Sequence, residues 1–145
     1  MTTTAIFGLT TGQVATFTMG QVAALTTDQI GALTSAQVTK LATADIDALT
    51  AAHVAALTMA QVTVLTTVQI GALATVQMMA LTHASITTFT TAQMAGWTTT
   101  QIASLTTSQI TALEAAGIVA RTNNQTSAFT TAQTLVMMND QISFL

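Results

Sequence analysis

Leu25-Thr26-Thr27-Asp28-Gln29-Ile30-Gly31-Ala32 is one copy of an octad that runs through all 145 residues. Every eighth position from Leu9 to Leu113 is Leu, Phe or Trp, and Phe129, Met137 and Leu145 resume that phase. All thirteen Gln residues stand four places after the Leu slot, so the repeat fixes a polar position as strictly as an apolar one. The octad reads as a short helix with its start written out. With Thr26 as N-cap, Gln29 falls at N3, the T-x-x-Q form of the capping box. There the Thr hydroxyl accepts from the N3 amide and the Gln side chain returns to the N-cap amide. Leu25 and Ile30 take the two positions of a hydrophobic staple. Thr66 and Gln69 repeat the assignment. If Gln only caps, Gln69→Ala costs roughly 0.5–2 kcal/mol like other lost caps, and Gln69→Glu is nearly silent.

Other periods fit less well. A continuous α-helix turns about 100° per residue, so an apolar stripe repeating every eight residues drifts roughly 80° per copy and wraps the rod. In a strand Leu25 and Ile30 point to opposite faces, and the Ala, Leu, Met and Gln content favours helix. A β-solenoid is the alternative, because Thr, Val and Ile also suit strands. One octad buries about two large side chains, at roughly 1.5–3 kcal/mol each. Ordering its backbone costs about 1–2 kcal/mol per residue. Neighbouring octads must therefore share a core, which predicts an all-α solenoid of short capped helices. Two and three helices per superhelical turn both remain open.

The strict repeat covers 1–120. In 121–128 Arg121 takes the Leu slot and Thr126 the Ile slot, which predicts a hinge or loop. Residues 129–145 read as further repeats or as one longer apolar helix, with Leu135, Met138, Ile142 and Leu145 at helical spacing.

Composition bounds the function. Charged residues make up 5% of the chain, against about 25% in ordinary soluble proteins. Two basic residues, Lys40 and Arg121, give no phosphate-binding footprint, which argues against nucleic acid. The longest apolar run, Ala115 to Ala120, is far short of the roughly 20 residues of a membrane span. The first residues lack the basic region and long apolar core of a cleaved signal peptide. Cysteine is absent. His53 stands in a Gln slot and His83 beside a cap, without ligand spacing between them. Asp45 in a Gln slot reads as a cap opposing the helix dipole. Asp45 and Asp47 form a close carboxylate pair, with Lys40 the basic residue nearby. Met78, Met94, Met137 and Trp97 hold core slots. No catalytic residue, metal, cofactor or small-molecule substrate is expected.

The octad Leu-Thr-x-x-Gln-Ile/Val-x-Ala resembles tandem repeats in large, low-charge surface and secreted proteins of Gram-negative bacteria, often described as adhesin-like or matrix-like. The resemblance implies a secreted structural or adhesive protein, at the cell surface or outside it, exported without a cleaved N-terminal signal. Self-association is the partner to expect. Ile6, Phe7 and Leu9 at one end, and Phe129, Met137, Met138, Ile142, Phe144 and Leu145 at the other, form apolar ends without charge clusters. Solenoids that stay monomeric cap their ends with polar repeats. A head-to-tail contact between unlike ends propagates as a filament, with the 121–128 hinge letting the C-terminal segment reach across to the next subunit. The alternatives are an adhesin or binding module and, given the Thr pairs, an ice-binding protein.

Overall fold

A computed structural model of the chain describes residues 2–113 and 123–137. Its regular elements are short helices of four to six residues, and no strand occurs among the described residues. The β-solenoid alternative is therefore set aside.

The helices form three stacks. Thr3–Phe7, Thr27–Ala32, Ala51–Ala55, Thr75–Ala80, Thr99–Ser104 and Asn123–Ser127 lie one above another on the first face. Thr11–Val14, Ser35–Val38, Met59–Val64, His83–Thr87, Thr107–Ala112 and Thr131–Val136 make the second. Met19–Ala23, Thr43–Asp47, Thr67–Gly71 and Thr91–Ala95 make the third. Each helix packs on the one three octads away, so a turn of the coil has three sides and takes 24 residues.

Each corner is made by two extended residues. Leu33 leaves the helix at φ −60°, ψ 134°, and Thr34 enters the next as N-cap at φ −71°, ψ 157°. No described residue has a positive φ and no described peptide bond is cis. Any L-residue can adopt these conformations, which is why the breaks need neither Gly nor Pro. The Thr hydroxyl and the Gln at N3 stop the helix from continuing backward across the corner.

Inside the coil, the slot after Gln is closed to solvent: Ile30, Val38, Ile46, Val54, Val62 and Ile70 are all buried. Leu slots from Leu33 to Leu113 are buried too, whereas Leu9, Phe17 and Leu25 of the first turn are only half-buried. Phe89 and Trp97 take two such slots and meet edge to face at 5.2 Å. The slot before Leu is mostly Ala, and at one copy the stacked helices approach closely enough to require a small residue. A Cβ on Gly96 would stand 3.0 Å from the Thr67 Cβ.

The C-terminal part differs from the sequence expectation in one respect. Within 121–128, Asn123–Ser127 is a helix rather than a hinge, and it stacks on Thr99–Ser104. The loss of two apolar anchors weighs less than the retained Gln125, whose amide bonds three carbonyls one turn below. Of the two readings of 129–145, further repeats or one longer helix, the described part has the form of a further repeat: Thr131–Val136 is a short capped helix and Met137 turns the corner in extended conformation. No described helix is long and apolar enough to cross a membrane.

Burial sets the energetic scale. Ile70→Ala should lower stability by about 2–5 kcal/mol, as for other buried truncations. The exposed Val68, on the same helix, should tolerate Ala within about 0.5 kcal/mol. Urea unfolding of both variants checks this, and equal losses would contradict the inward and outward assignment.

Candidate functional site

The buried polar positions are the Gln slots. Gln37, Gln61, Gln69, Gln77, Gln93, Gln101, Gln109 and Gln133 are all closed to solvent, which obliges every polar atom on them to find a partner. The carboxamide oxygen accepts the N-cap amide of its own helix: Thr34 N–H donates to Gln37 Oε1 at 2.7 Å and Thr66 N–H to Gln69 Oε1 at 3.0 Å. The Thr hydroxyl accepts the N3 amide in return, at 3.2 Å in the first case and 3.1 Å in the second. Thr26 with Gln29 completes the same box, at 2.8 and 3.3 Å.

The carboxamide nitrogen does something the capping box does not require. Gln37 Nε2 donates to Ile6 O at 3.0 Å and Leu9 O at 2.7 Å. Gln69 Nε2 donates to Val38 O at 3.0 Å and Leu41 O at 2.9 Å. The same separations of 31 and 28 residues recur at Gln61, Gln77, Gln93, Gln101, Gln109, Gln125 and Gln133. The accepting carbonyls lie at a corner one turn down: one sits in the last turn of the helix and also accepts the Leu-slot N–H, as Val38 O does from Leu41 N–H at 3.2 Å, and the other belongs to the Leu-slot residue itself. Helix C-termini leave carbonyls short of partners. Each Gln therefore starts its own helix and finishes the corner beneath it.

Three octads lack Gln in this slot yet keep part of the pattern. His53 Nδ1 accepts from Thr50 N–H at 3.3 Å, and Nε2 lies 2.7 Å from Leu25 O, so these partners assign the ring proton to Nε2. Asp45 Oδ2 accepts from Ala42 N–H at 3.0 Å, and an ionised carboxylate has no proton to donate downward. Ser85 Oγ pairs with Thr82 Oγ1 at 2.9 Å and is too short to reach the turn below. Among the described residues, no cluster of three or more His, Asp or Glu is placed to hold a metal ion.

The first turn shows the other side of this stacking surface. Gln13 and Gln21 are exposed, and each uses its oxygen on its own cap, at 2.8 Å to Thr10 N–H and 2.9 Å to Thr18 N–H. Their nitrogens have no described turn beneath them. Phe17, Gln21, Ala24, Leu25 and Gln29 line a depression of about 230 Å³, and Thr3, Thr4, Phe7 and Ala32 border another of about 300 Å³.

The sequence-predicted assembly residues divide accordingly. Phe7 is 65% exposed, and Leu9 and Phe129 are half-buried. Ile6 and Met137, at 0% and 5% exposure, belong to the internal core and not to an end surface. Both occupy periodic inner slots, so burial by the rest of the coil reaches them. Met138, Ile142, Phe144 and Leu145 lie outside the described residues. Gln13 and Gln21 are exposed and Phe17 and Leu25 half-buried, a difference from later copies that follows from a stacking interval of 24 residues that the octad alone does not display.

Residues 20–43 and 38–75 match the model of the ALTTAQ repeat. Its six letters appear here as Ala32-Leu33-Thr34-Ser35-Ala36-Gln37, with one residue changed. The match supports a repeat protein. No curated protein and no solved structure matches the chain.

The two-sided role of Gln reverses the expectation that Gln69→Glu is silent. A carboxylate keeps the cap but leaves the Leu41 carbonyl without its donor and the Val38 carbonyl with only the Leu41 N–H, and it buries a charge against both. Unpaired buried groups cost about 1–3 kcal/mol each, so Gln69→Glu should lose roughly 3 kcal/mol or more, at least as much as Gln69→Ala. The buried carboxyl titrates above its unfolded counterpart, so part of the loss should return as pH falls and the acid can donate again. Asp45→Gln should do the opposite and add about 1–2 kcal/mol through donation to Val14 O and Phe17 O. Denaturant titrations across pH check both, and a silent Gln69→Glu would restore the capping-only reading.

Proposed function

We propose that this chain is a structural protein that assembles head to tail into extracellular filaments or matrix. The observation that carries the reading is the stacking surface itself: each turn covers the Leu row and the carbonyls of the turn before it through apolar side chains and uncharged glutamines. A surface of the same make-up, half-buried Leu9, Phe17 and Leu25 beside exposed Gln13 and Gln21, carries no charge that would oppose another coil. The extracellular location rests on the resemblance of the octad to surface and secreted repeats.

A second reading, ice binding, draws on a column of threonines. Thr39, Thr63, Thr87 and Thr111 stand one per turn on the second face, each hydroxyl donating to the carbonyl three residues earlier at 2.8 to 3.0 Å. Monomeric protein that suppresses ice recrystallisation would favour this reading over assembly.

Sedimentation and negative-stain microscopy over a concentration series test the first reading. The 145-residue chain should form unbranched rods above a threshold concentration. Because the contact is apolar and uncharged, the threshold should change little between low and high salt. A chain that stays monomeric throughout, or rods that dissolve on adding salt, would contradict it.

A further inference from the structure

Asp45 puts a carboxylate in the buried Gln row, and the protein engages only one of its oxygens. The side chain is 2% exposed. Oδ2 accepts the Ala42 amide at 3.0 Å, and no described residue donates to Oδ1. A planar carboxylate that caps with one oxygen holds the other where glutamine holds its nitrogen, toward the corner one turn down. For Asp45 that corner is Val14 to Phe17, at the separations by which Gln69 reaches Val38 O and Leu41 O. Val14 O accepts the Phe17 amide at 3.1 Å, and no described group donates to Phe17 O. Lys40, the nearest lysine in sequence, is exposed, and no ion pair joins it to Asp45. Two carbonyls and a carboxylate oxygen therefore converge where Gln69 presents an NH2 group to its own corner.

Buried charges are paired or coordinate metal ions. Gln69 Nε2 stands 3.0 and 2.9 Å from its two carbonyls. Asp is shorter by one methylene, about 1.5 Å, which places Oδ1 roughly 4.5 Å from Val14 O and Phe17 O. Calcium binds carboxylate, carbonyl and water oxygens at about 2.3–2.6 Å, so one ion bridges oxygens at that separation. We propose that Asp45 Oδ1, Val14 O and Phe17 O bind a calcium ion that ties the second turn to the first. Ala15 O is a fourth protein ligand, the equivalent of Asp47 O, which Gln77 Nε2 reaches at 3.1 Å. Ala15, Thr16 and Thr18 are exposed, so water can complete the coordination shell. Magnesium, which needs about 2.0–2.1 Å and gives up its waters reluctantly, fits this set poorly. One carboxylate is a small ligand charge, which puts the affinity near about 1 mM. Ser85 faces Val54 O and Leu57 O at the same separations but brings no charge, so that corner takes no ion.

The test is a calcium chloride titration of the full chain at constant ionic strength, followed by backbone amide shifts in NMR spectra. Shifts should saturate at residues 14–18 and 42–45, half complete near about 1 mM, and magnesium chloride should not reproduce them. Asp45→Gln restores the residue that the other turns use, so it should fold, keep its cap and lose the response. Asp47→Asn removes an exposed carboxylate on the same helix and should keep the response. At about 10 mM calcium the unfolding equilibrium constant of the unmodified chain should fall about tenfold, and that of Asp45→Gln should not change. Shifts that are absent, never saturate, persist in Asp45→Gln or vanish in Asp47→Asn would overturn the site, as would an equal response to magnesium.

Discussion

The constraint on which this fold depends is the backbone carbonyl left over at each corner. A coil that breaks its helix every eight residues creates unpaired donors and acceptors faster than any ordinary helical protein. Thr and Gln deal with the donors locally. The acceptors are handled one turn away, by the other end of the same carboxamide. Gln suits this slot because it carries an acceptor and two donors on one planar group, and is long enough to span both tasks. Asp, His and Ser each supply part of it, and each occurs once among the described Gln slots.

This arrangement makes stability a matter of neighbours. A helix of five residues has little stability of its own, and its inner Ile or Val is buried only by the turns above and below. Removing one turn exposes the Leu row of the next and strips donors from the carbonyls beneath. The energetics should therefore resemble a one-dimensional chain of coupled units. Few charges are needed within such a stack, and few are present. Trp97 is an exception to its polar economy: it is buried in a Leu slot, and its indole nitrogen has no partner among the described residues.

Much of the architecture was legible in the octad itself. The Leu, Thr and Gln slots announce helix starts, and the capping boxes at Thr26–Gln29 and Thr66–Gln69 have the geometry that T-x-x-Q spells out. The three-sided turn was not legible, because all octads are alike and no 24-residue signal is superimposed on them. The second function of Gln was hidden for the same reason: its acceptors lie 28 and 31 residues away. Reading Arg121 and Thr126 as a hinge gave apolar anchors all the weight, whereas Gln125 keeps its helix in the stack. The same hidden interval left Gln13 and Gln21 looking like every other copy, although they are exposed at the underside.

Side-chain amide hydrogen exchange, followed by NMR on protein labelled at glutamine nitrogen, tests the central claim most directly. If the carboxamides hold the corners, the Nε2 protons of Gln37, Gln61, Gln69, Gln77, Gln93, Gln101, Gln109 and Gln133 should be protected like core backbone amides. In monomeric protein, those of Gln13 and Gln21 should exchange as freely as in an unfolded peptide. Uniform fast exchange at all of these side chains would contradict the account.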